Sequence, residues 1–328
     1  MNELTRRPLG RTGAWITTVG FGGWAASGAH GAFRWGDQDD QATIAAIHRA
    51  VGRGVSWIDT AAAYGFGHSE SVVGQALRQL PAADRPLVFT KCGRRPVPDD
   101  PNRLQTDLRP DSIRQEFEES SRRLGMEVID LLQIHWPPAD GNRPEIEEAW
   151  GTLARLQDEG KVRFIGVSNF EVEQLAVAEA IRHVDSLQPR LSLLYPGAAA
   201  SLIPWCAANG MGVVVYSPMA SGLLTERMSA ERLAALRDDW RTNSPDFRSP
   251  RLERNLALRD DLAAIARRHG VQSGAVAVAW TLSQPGVTGA IVGARSPEQV
   301  DGWLPAASLE LTEADLAEIE HARARAAA

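Results

Sequence analysis

The amino-acid sequence predicts a (β/α)8 TIM barrel, an α/β fold in which eight parallel strands close into a cylinder. Short β-branched or apolar runs alternate with longer segments whose apolar residues recur every three or four positions, as in repeated strand–helix units. About eight such runs can be counted, which is the number that a closed barrel needs. Barrels routinely hold chains as long as these 328 residues, so we expect a single domain over residues 1–328.

The strand candidates are short, and most of them are followed by a segment with helical periodicity. In chain order the strands are Thr18–Phe21, Ser56–Asp59, Leu87–Lys91, Val128–Ile134, Phe164–Val167, Ser186–Gln188, Gly212–Tyr216 and Gly289–Val292. The helical patterns lie at Asp39–Arg53, Ser69–Leu80, Asp111–Leu124, Ile146–Glu159, Glu171–His183, Ala200–Asn209 and Ser273–Leu282. Gly125, Gly160 and Gly210 follow predicted helices, where a left-handed residue commonly ends a helix.

One stretch breaks the alternation of strands and helices. Residues Ser217–Pro250 mix Gly, Arg, Asp, Ser and Pro, and this composition predicts a long loop after the seventh strand. Long loops at the carboxyl end of barrel strands usually carry function. We therefore expect a functional role for this loop.

Composition and charge argue against several classes of protein. The net charge of −6 argues against a general binder of nucleic acid, although a local basic pocket for one phosphate ligand stays open. No apolar run approaches the roughly 18 residues that a membrane span needs, and the polar first eight residues lack the apolar stretch of a secretory signal. Cys92 and Cys206 are too few for a disulfide framework. We expect a cytoplasmic protein without nucleic-acid or membrane partners.

A glycine-rich pattern near the N-terminus imitates a dinucleotide-binding motif. Gly20–Ala25 fits GxGxxA after a strand, and Asp39 or Asp40 follows about 20 residues later. A Rossmann turn must open directly into a helix that holds the pyrophosphate at its N-terminus. The residues from Ala26 to Gly31 instead predict an irregular glycine-rich loop, so we reject the Rossmann interpretation.

Polar or ionisable residues stand at, or just past, the ends of several predicted strands, where barrel enzymes place their active sites. In chain order they are Asp59, Lys91, His135, Ser168, Asn169, Gln188 and Tyr216. Each alone has a structural explanation, such as Asp59 as a helix cap or His135 as a hydrogen-bonded core histidine. Their shared location favours a functional site.

Over nearly its whole length the chain resembles the aldo-keto reductase family. The motifs that carry the resemblance occur in the right order and are Asp59–Gly65 (DTAAAYG), Thr90–Lys91, Gln133–Trp136 (QIHW), Gly166–Phe170 (GVSNF) and Tyr216–Pro218 (YSP). The resemblance implies a (β/α)8 barrel that uses NADPH/NADP+ to reduce an aldehyde or ketone to an alcohol, reversibly. The family's proton-relay residues correspond to Asp59, Tyr64, Lys91 and His135.

The chemistry of these side chains agrees with that assignment. Hydride reduction of a carbonyl creates an alkoxide, so a general acid must deliver a proton, and we expect Tyr64 to be that acid. A positive charge on Lys91 is expected to lower the phenol pKa, while Asp59 keeps Lys91 charged and oriented. His135 can donate a hydrogen bond to the substrate oxygen. Lys91 and Lys161 are the two lysines in a chain whose other basic residues are arginines, which supports a specific role for Lys91 without excluding chance.

The resemblance also implies contacts to the cofactor and the substrate. The expected cofactor contacts are Gly23, Trp24, Ser168, Asn169, Gln188, Tyr216, Ser217, Pro218, Gly222, Leu223, Arg227, Gly293, Arg295 and Gln299. Ser168, Asn169 and Gln188 resemble carboxamide contacts, and Tyr216 resembles the ring that stacks on the nicotinamide. Around the carbonyl substrate we expect Trp24, Tyr64 and Trp136, with Phe33 or Trp35 from the loop after the first strand.

Cofactor choice depends on the segment Ile291–Gln299, which runs from the eighth strand into a helix. Backbone N–H groups at a helix start favour an anion, and a guanidinium grips phosphate through paired hydrogen bonds, so Arg295 is the candidate for the 2′-phosphate of NADPH. Trp303 departs from the family pattern, in which an asparagine often contacts adenine, and is either a stacking partner for adenine or a core residue. For Arg227 and for Arg295 the alternative is a solvated surface arginine.

Two other functions stay open at this point. One is a regulatory barrel that holds NADPH as a redox signal with slow turnover. The other is a barrel hydrolase that uses Asp59 and His135 with a metal ion, although the sequence has no HExxH motif and its scattered histidines give no convincing ligand set, so we expect no metal.

Overall fold

Eight parallel strands form a closed barrel, which confirms the predicted fold class. The computed structural model describes residues 3–29 and 33–327. The strands follow one another around the cylinder in chain order, and the eighth pairs with the first. They are β1 (Val19–Gly22), β2 (Trp57–Asp59), β3 (Leu87–Cys92), β4 (Ile129–Ile134), β5 (Val162–Ser168), β6 (Ser186–Gln188), β7 (Gly212–Tyr216) and β8 (Gly289–Gly293).

Helices cover the outside of this barrel. Those in the described residues are α1 (Asp40–Gly52), α2 (His68–Arg78), α3 (Pro110–Leu124), α4 (Arg143–Asp158), α5 (Val172–Glu179), α6 (Leu202–Ala208), α7 (Ala230–Ala235), α8 (Arg251–His269), α9 (Ser273–Ser283), α10 (Pro297–Trp303) and α11 (Glu313–Ala327). Gly125, Gly160 and Gly210 have φ angles of 70°, 71° and 73° just past α3, α4 and α6. These left-handed residues confirm the helix ends that the sequence predicted.

The interior of the barrel is filled by large apolar side chains, among them Trp57, Phe89 and Leu131, which are fully buried. Gly20 on β1 leaves room for this packing, because a Cβ atom there would lie 2.2 Å from the Trp57 indole. The glycine that begins the GxGxxA pattern therefore serves core packing. β1 leads into a single 3-10 turn, Trp24–Ser27, where the sequence predicted an irregular loop. That prediction is wrong for Ala26 and Ser27, and His30 and Gly31 lie outside the described residues.

Several elements differ from the sequence prediction. Two antiparallel hairpins, Arg6–Pro8 with Trp15–Thr17 and Arg94–Val97 with Asp100–Thr106, were not expected. The second contains prolines, which argue against strands when only the sequence is read. Helices α8 and α11 were also missed, because their many charged residues obscure the apolar periodicity.

The segment Ser217–Pro250 is not the single irregular loop that its composition predicted. It contains α7 and three 3-10 turns at Ala220–Gly222, Trp240–Asn243 and Pro245–Phe247. Side-chain caps stabilise the ends of some of these elements. For example, Asp239 accepts a hydrogen bond from the backbone N–H of Arg241 at 3.0 Å. Local capping of this kind makes short turns that are too brief to leave a periodic signal in the sequence.

This segment meets the loop after β1 over the mouth of the barrel. Trp35 and Asp239 form an antiparallel β-bridge, and the N–H of Trp240 donates to the carbonyl of Arg34 at 3.0 Å. Arg241 pairs with the buried Asp239 at 2.6 Å and lies over the Trp35 ring, 4.6 Å from its centre. We call this paired arrangement of residues 33–39 and 237–241 the strap. It encloses the ends of the barrel strands.

Candidate active site

An ion pair lies at the carboxyl ends of β2 and β3. Lys91 Nζ donates to Asp59 Oδ1 at 2.6 Å and to the carbonyl of Thr60 at 2.9 Å. Both side chains are almost fully buried, with 0% of Lys91 and 2% of Asp59 exposed. The loop after β2 brings the Tyr64 hydroxyl to 3.3 Å from the same Nζ. The structure thus joins three of the predicted site residues in one chain of contacts.

Burial controls the ionisation of Tyr64, Lys91 and Asp59. It raises the pKa of the Tyr64 phenol well above its ordinary value, and the Asp59 carboxylate raises it further. The expectation that Lys91 lowers this pKa is therefore wrong for the site as it stands, because removing water from the phenol outweighs the ammonium. Burial also lowers the pKa of Lys91 and raises that of Asp59, and their short contact opposes both shifts. Tyr64 is a neutral phenol with a proton to give.

His135 stands beside Tyr64, at the end of β4. The two rings meet edge to face with 5.6 Å between their centres. Burial lowers the pKa of His135 well below its ordinary value, and the positive charges of Lys91 and Arg94 lower it further. The imidazole is therefore neutral, with one N–H donor and one acceptor nitrogen. Its buried Nδ1 has no hydrogen-bond partner among the described residues.

A polar network surrounds the ion pair from β5, β6 and β7. Gln188 Nε2 donates to Asp59 Oδ2 at 2.8 Å, so both carboxylate oxygens have a partner. Asn169 Nδ2 donates to the carbonyl of His135 at 3.0 Å, and its Oδ1 accepts from the Tyr216 hydroxyl at 2.8 Å. Ser168 Oγ donates to the carbonyl of Gln188 at 2.9 Å. The four residues predicted as cofactor contacts here are thus also bonded to the protein.

Two cavities meet at Tyr64. The first, which we call the cleft, has a volume of about 200 Å³ and is lined near the barrel by Asp59, Tyr64 and Tyr216. The second, which we call the pocket, has a volume of about 430 Å³ and contains His135 in its wall. Residues common to both walls are Trp24, Tyr64, Tyr216, Ser217 and Ser221. Two ligands in adjoining cavities would therefore approach each other at the Tyr64 hydroxyl.

The cleft contains most of the predicted cofactor contacts. They are Trp24, Tyr216, Ser217, Pro218, Gly222, Arg227, Gly293, Arg295 and Gln299, and Trp303 joins them. Five predicted contacts are placed elsewhere: Ser168, Asn169 and Gln188 line the pocket, and Leu223 and Gly23 line neither cavity. Leu223 is fully buried in the main hydrophobic core, and the N–H of Gly23 donates a hydrogen bond to the carbonyl of Asp59 at 2.7 Å.

Arginines surround the outer part of the cleft. Arg295 donates to the backbone carbonyls of Trp35 and Asp37 and to Gln38 Oε1, so its guanidinium is tied to the strap. Arg227 and Arg232 also line the cleft, and neither has a carboxylate at ion-pair distance within the described part of the chain. The outer cleft thus offers positive charge to an anion.

Aromatic rings form the wall between the cleft and the pocket. The Trp24 ring stacks on Tyr64 and on Trp240, with 6.1 Å and 5.3 Å between ring centres. Trp35 meets the Trp24 ring edge to face at 5.1 Å. Trp136 and Phe33, which are 44% and 53% exposed, line the pocket, and their contact with a substrate stays a prediction. This wall is apolar and shields the polar centre from water.

Some residues of the site carried no signal in the sequence. Asp239, Trp240 and Arg241 come from the segment predicted as a loop, and Arg94 comes from the unpredicted hairpin. Their positions depend on tertiary contacts that periodicity does not reveal. His68 and Cys92, considered at the edge of the site, lie apart from the reacting centre: His68 Nε2 contacts Asp40 at 2.9 Å, and Cys92 is 1% exposed.

The described residues were also searched for metal sites and membrane segments. In residues 3–29 and 33–327, no group of three or more His, Cys, Asp or Glu side chains is arranged to hold a metal ion. No helix in the same residues combines the length and apolar character needed to cross a bilayer.

Comparisons with known proteins agree with this geometry. The sequence profile of the Aldo/keto reductase family matches residues 18–324. Aldo-keto reductase YhdN of Bacillus subtilis (strain 168) is 35% identical over 299 residues, which are 89% of this chain and 87% of that protein. The NADH-specific methylglyoxal reductase of Escherichia coli (strain K12) is 33% identical over 322 residues, which are 95% and 96% of the two chains. The solved structure of the glycerol dehydrogenase AKR11B4 from Gluconobacter oxydans superposes with a TM-score of 0.86 at 35% identity, covering 99% of this chain and 96% of that one.

Proposed function

Because this chain belongs to the aldo/keto reductase family, we propose that it reduces an aldehyde or ketone to an alcohol, reversibly, with NADPH as its cofactor and Tyr64 as proton donor. The observation that carries the proposal is the contact between Tyr64 and Lys91 at 3.3 Å, at the point where the cleft and the pocket meet. A carbonyl group in the pocket would lie between a proton source and the ligand of the cleft.

The cleft suits a nicotinamide dinucleotide. The Tyr216 ring lies at its inner end, and arginines at its outer end match the charge of phosphates. The buried indole Nε1 of Trp303, which has no partner within the described residues, offers a donor to a base. When bound, the reduced nicotinamide supplies the hydride.

The protein's own residues then manage the proton and the charge. Tyr64 is neutral, because burial raises its pKa, and it can donate its proton to the alkoxide oxygen that hydride addition leaves on the substrate. The negative charge that forms on Tyr64 is stabilised by Lys91 Nζ, which Asp59 holds in place. His135 is neutral and can donate a hydrogen bond to the same substrate oxygen, which orients the carbonyl.

The proposed preference for NADPH is supported by charge at the outer end of the cleft. Arg227 and Arg232 have no carboxylate partner within the described residues, and Arg295 lies beside them. A 2′-phosphate would gain charge-assisted hydrogen bonds there. Because one relative is described as NADH-specific, both cofactors must be compared in the assay.

The proposal is tested by following nicotinamide absorbance with a panel of aldehydes and ketones, using NADPH and NADH in parallel. Steady loss of NADPH absorbance that depends on substrate supports a reductase. A single slow turnover supports a redox sensor, and no response to any carbonyl with either cofactor refutes a reductase.

A further inference from the structure

We propose that the carbonyl substrate carries a second, anionic group, a carboxylate or phosphate, and that Arg94 recognises it in the pocket. This inference rests on the proposed reductase function and adds the chemical class of the substrate. It depends on the charges around the pocket, which the proton relay does not use.

The pocket wall has an excess of positive charge. Its charged side chains in the described residues are Arg94, Arg190, Arg251 and Asp246. Arg190 and Arg251 share Asp246, each at 3.7 Å, and Tyr195 also donates to that carboxylate. One carboxylate is therefore shared by two arginines, and the third arginine, Arg94, does not contact it.

Arg94 is the arginine without a carboxylate. Its Nη1 donates to Thr106 Oγ1 at 3.0 Å across the hairpin, and among the described residues no carboxylate lies at ion-pair distance. A guanidinium has five N–H donors, so several stay available. Arg94 is half-buried, so its charge is held partly away from water, and this burial lowers its pKa. Such a charge gains from an anionic partner more than an exposed one does.

Arg94 is positioned for the substrate and not for the cofactor. It lies three residues after Lys91, lines the pocket and not the cleft, and is close enough to His135 to contribute to the lowering of its pKa. Thr106 fixes its side chain on one side of the pocket while His135 and Tyr64 stand at the inner end. A substrate with a carbonyl at one end and an anionic group a few atoms away would place the carbonyl beside Tyr64 and His135 and the anionic group beside Arg94.

The test compares substrates that carry an anionic group with neutral counterparts that lack it. 4-Oxobutanoate is compared with its methyl ester, and glyceraldehyde 3-phosphate with glyceraldehyde, which separates a carboxylate from a phosphate. We expect the wild-type enzyme to prefer one anionic substrate in kcat/KM. We expect Arg94→Gln to reduce kcat/KM for it by about 10- to 100-fold while the neutral partner changes little, since a hydrogen bond to a charged group is being lost.

Two variants control this result. Arg94→Lys keeps the charge and should recover part of the loss. Arg103→Gln changes an exposed arginine of the same hairpin that does not line the pocket, and should leave both substrates unchanged. If Arg94→Gln fails to fold, added salt in the wild-type assay at saturating NADPH gives the answer, because screening should then lower kcat/KM for the anionic substrate and leave that for the neutral one nearly unchanged.

Equal kcat/KM for charged and neutral partners in the wild type, or equal losses for both in Arg94→Gln, would overturn this inference and leave the reductase function standing. Failure to reduce any of the four compounds with either cofactor would instead overturn the proposed function.

Discussion

Gln188 donates a hydrogen bond to Asp59, with 2.8 Å between Nε2 and Oδ2, while Lys91 holds the other carboxylate oxygen at 2.6 Å. All three side chains are buried. A carboxylate with a partner on each oxygen cannot rotate, so it fixes the position of Lys91 and through it the environment of Tyr64. Gln188 therefore acts as a positioning residue, in addition to the contact to the cofactor carboxamide that the family resemblance implies.

Gln188→Leu separates these two roles. If positioning dominates, kcat should fall by roughly tenfold, since one oxygen of a buried carboxylate loses its donor, while the Kd for NADPH should change less than about twofold. Steady-state kinetics gives the kcat, and fluorescence titration of the cofactor gives the Kd. A large rise in the Kd with normal kcat would assign Gln188 to the cofactor alone.

Tyr64→Phe should remove most of the reductase activity and leave the affinity for NADPH nearly unchanged. The hydroxyl supplies the proton, a step that is typically worth about 10²- to 10⁴-fold, whereas the ring that borders the cleft is retained. Steady-state turnover and cofactor titration of the same preparation measure the two effects. Near-normal turnover would show that His135 or water can deliver the proton.

Glu116 on α3 makes stability depend on pH. It is 3% exposed, and burial raises its pKa to about 7, although the N–H of Gly93 donates to it at 3.0 Å. The folded protein therefore holds a proton that the unfolded chain has released, and the free energy of unfolding should fall as pH rises from the ordinary value of 4.5 to about 7.

Glu116→Gln removes this titration and keeps an oxygen for Gly93. We expect the variant to be more stable than the wild type by roughly 2 kcal/mol at about pH 8 and to differ little at about pH 5. Urea unfolding at both pH values measures it. Glu118→Gln, which changes an exposed carboxylate of the same helix, is the matched control. A difference between Glu116→Gln and the wild type that is the same at both pH values would contradict the assignment.

The strands of the barrel could be predicted because each is a short apolar run bounded by turn residues, and the ends of β2, β3 and β4 located Asp59, Lys91 and His135. The strap could not be predicted, since the pairing of Trp35 with Asp239 joins residues about 200 positions apart. The ionisation of Tyr64 also escaped prediction. The direction of its pKa shift depends on how much water the folded chain excludes from the phenol. Trp24 and the strap exclude that water, and only folding brings them to Tyr64.

Arg295 has two roles that a single substitution can distinguish. Its guanidinium holds the carbonyls of Trp35 and Asp37, so it fastens the strap, and it also lines the outer cleft where we place the 2′-phosphate. Three of its five N–H donors are used on the strap, so two stay available for that phosphate. Arg295→Ala should then weaken NADPH binding by about 1.5 to 3 kcal/mol, the range for hydrogen bonds to charged groups, while NADH binding changes little.

The alternative outcome follows from the strap. If Arg295 only fastens residues 33–39, its loss should loosen the cleft wall and weaken the binding of NADPH and NADH to the same extent. Titration of NADPH and NADH against wild type, Arg295→Ala and Arg227→Ala compares the two cases, because Arg227 lines the cleft without a bond to the strap in the described residues. If Arg227→Ala alone loses affinity for NADPH and keeps its affinity for NADH, the 2′-phosphate contact is assigned to Arg227. Equal losses for both cofactors in both variants, or a wild-type preference for NADH, would refute the proposed NADPH specificity and leave Arg295 as the residue that closes the strap over the cofactor.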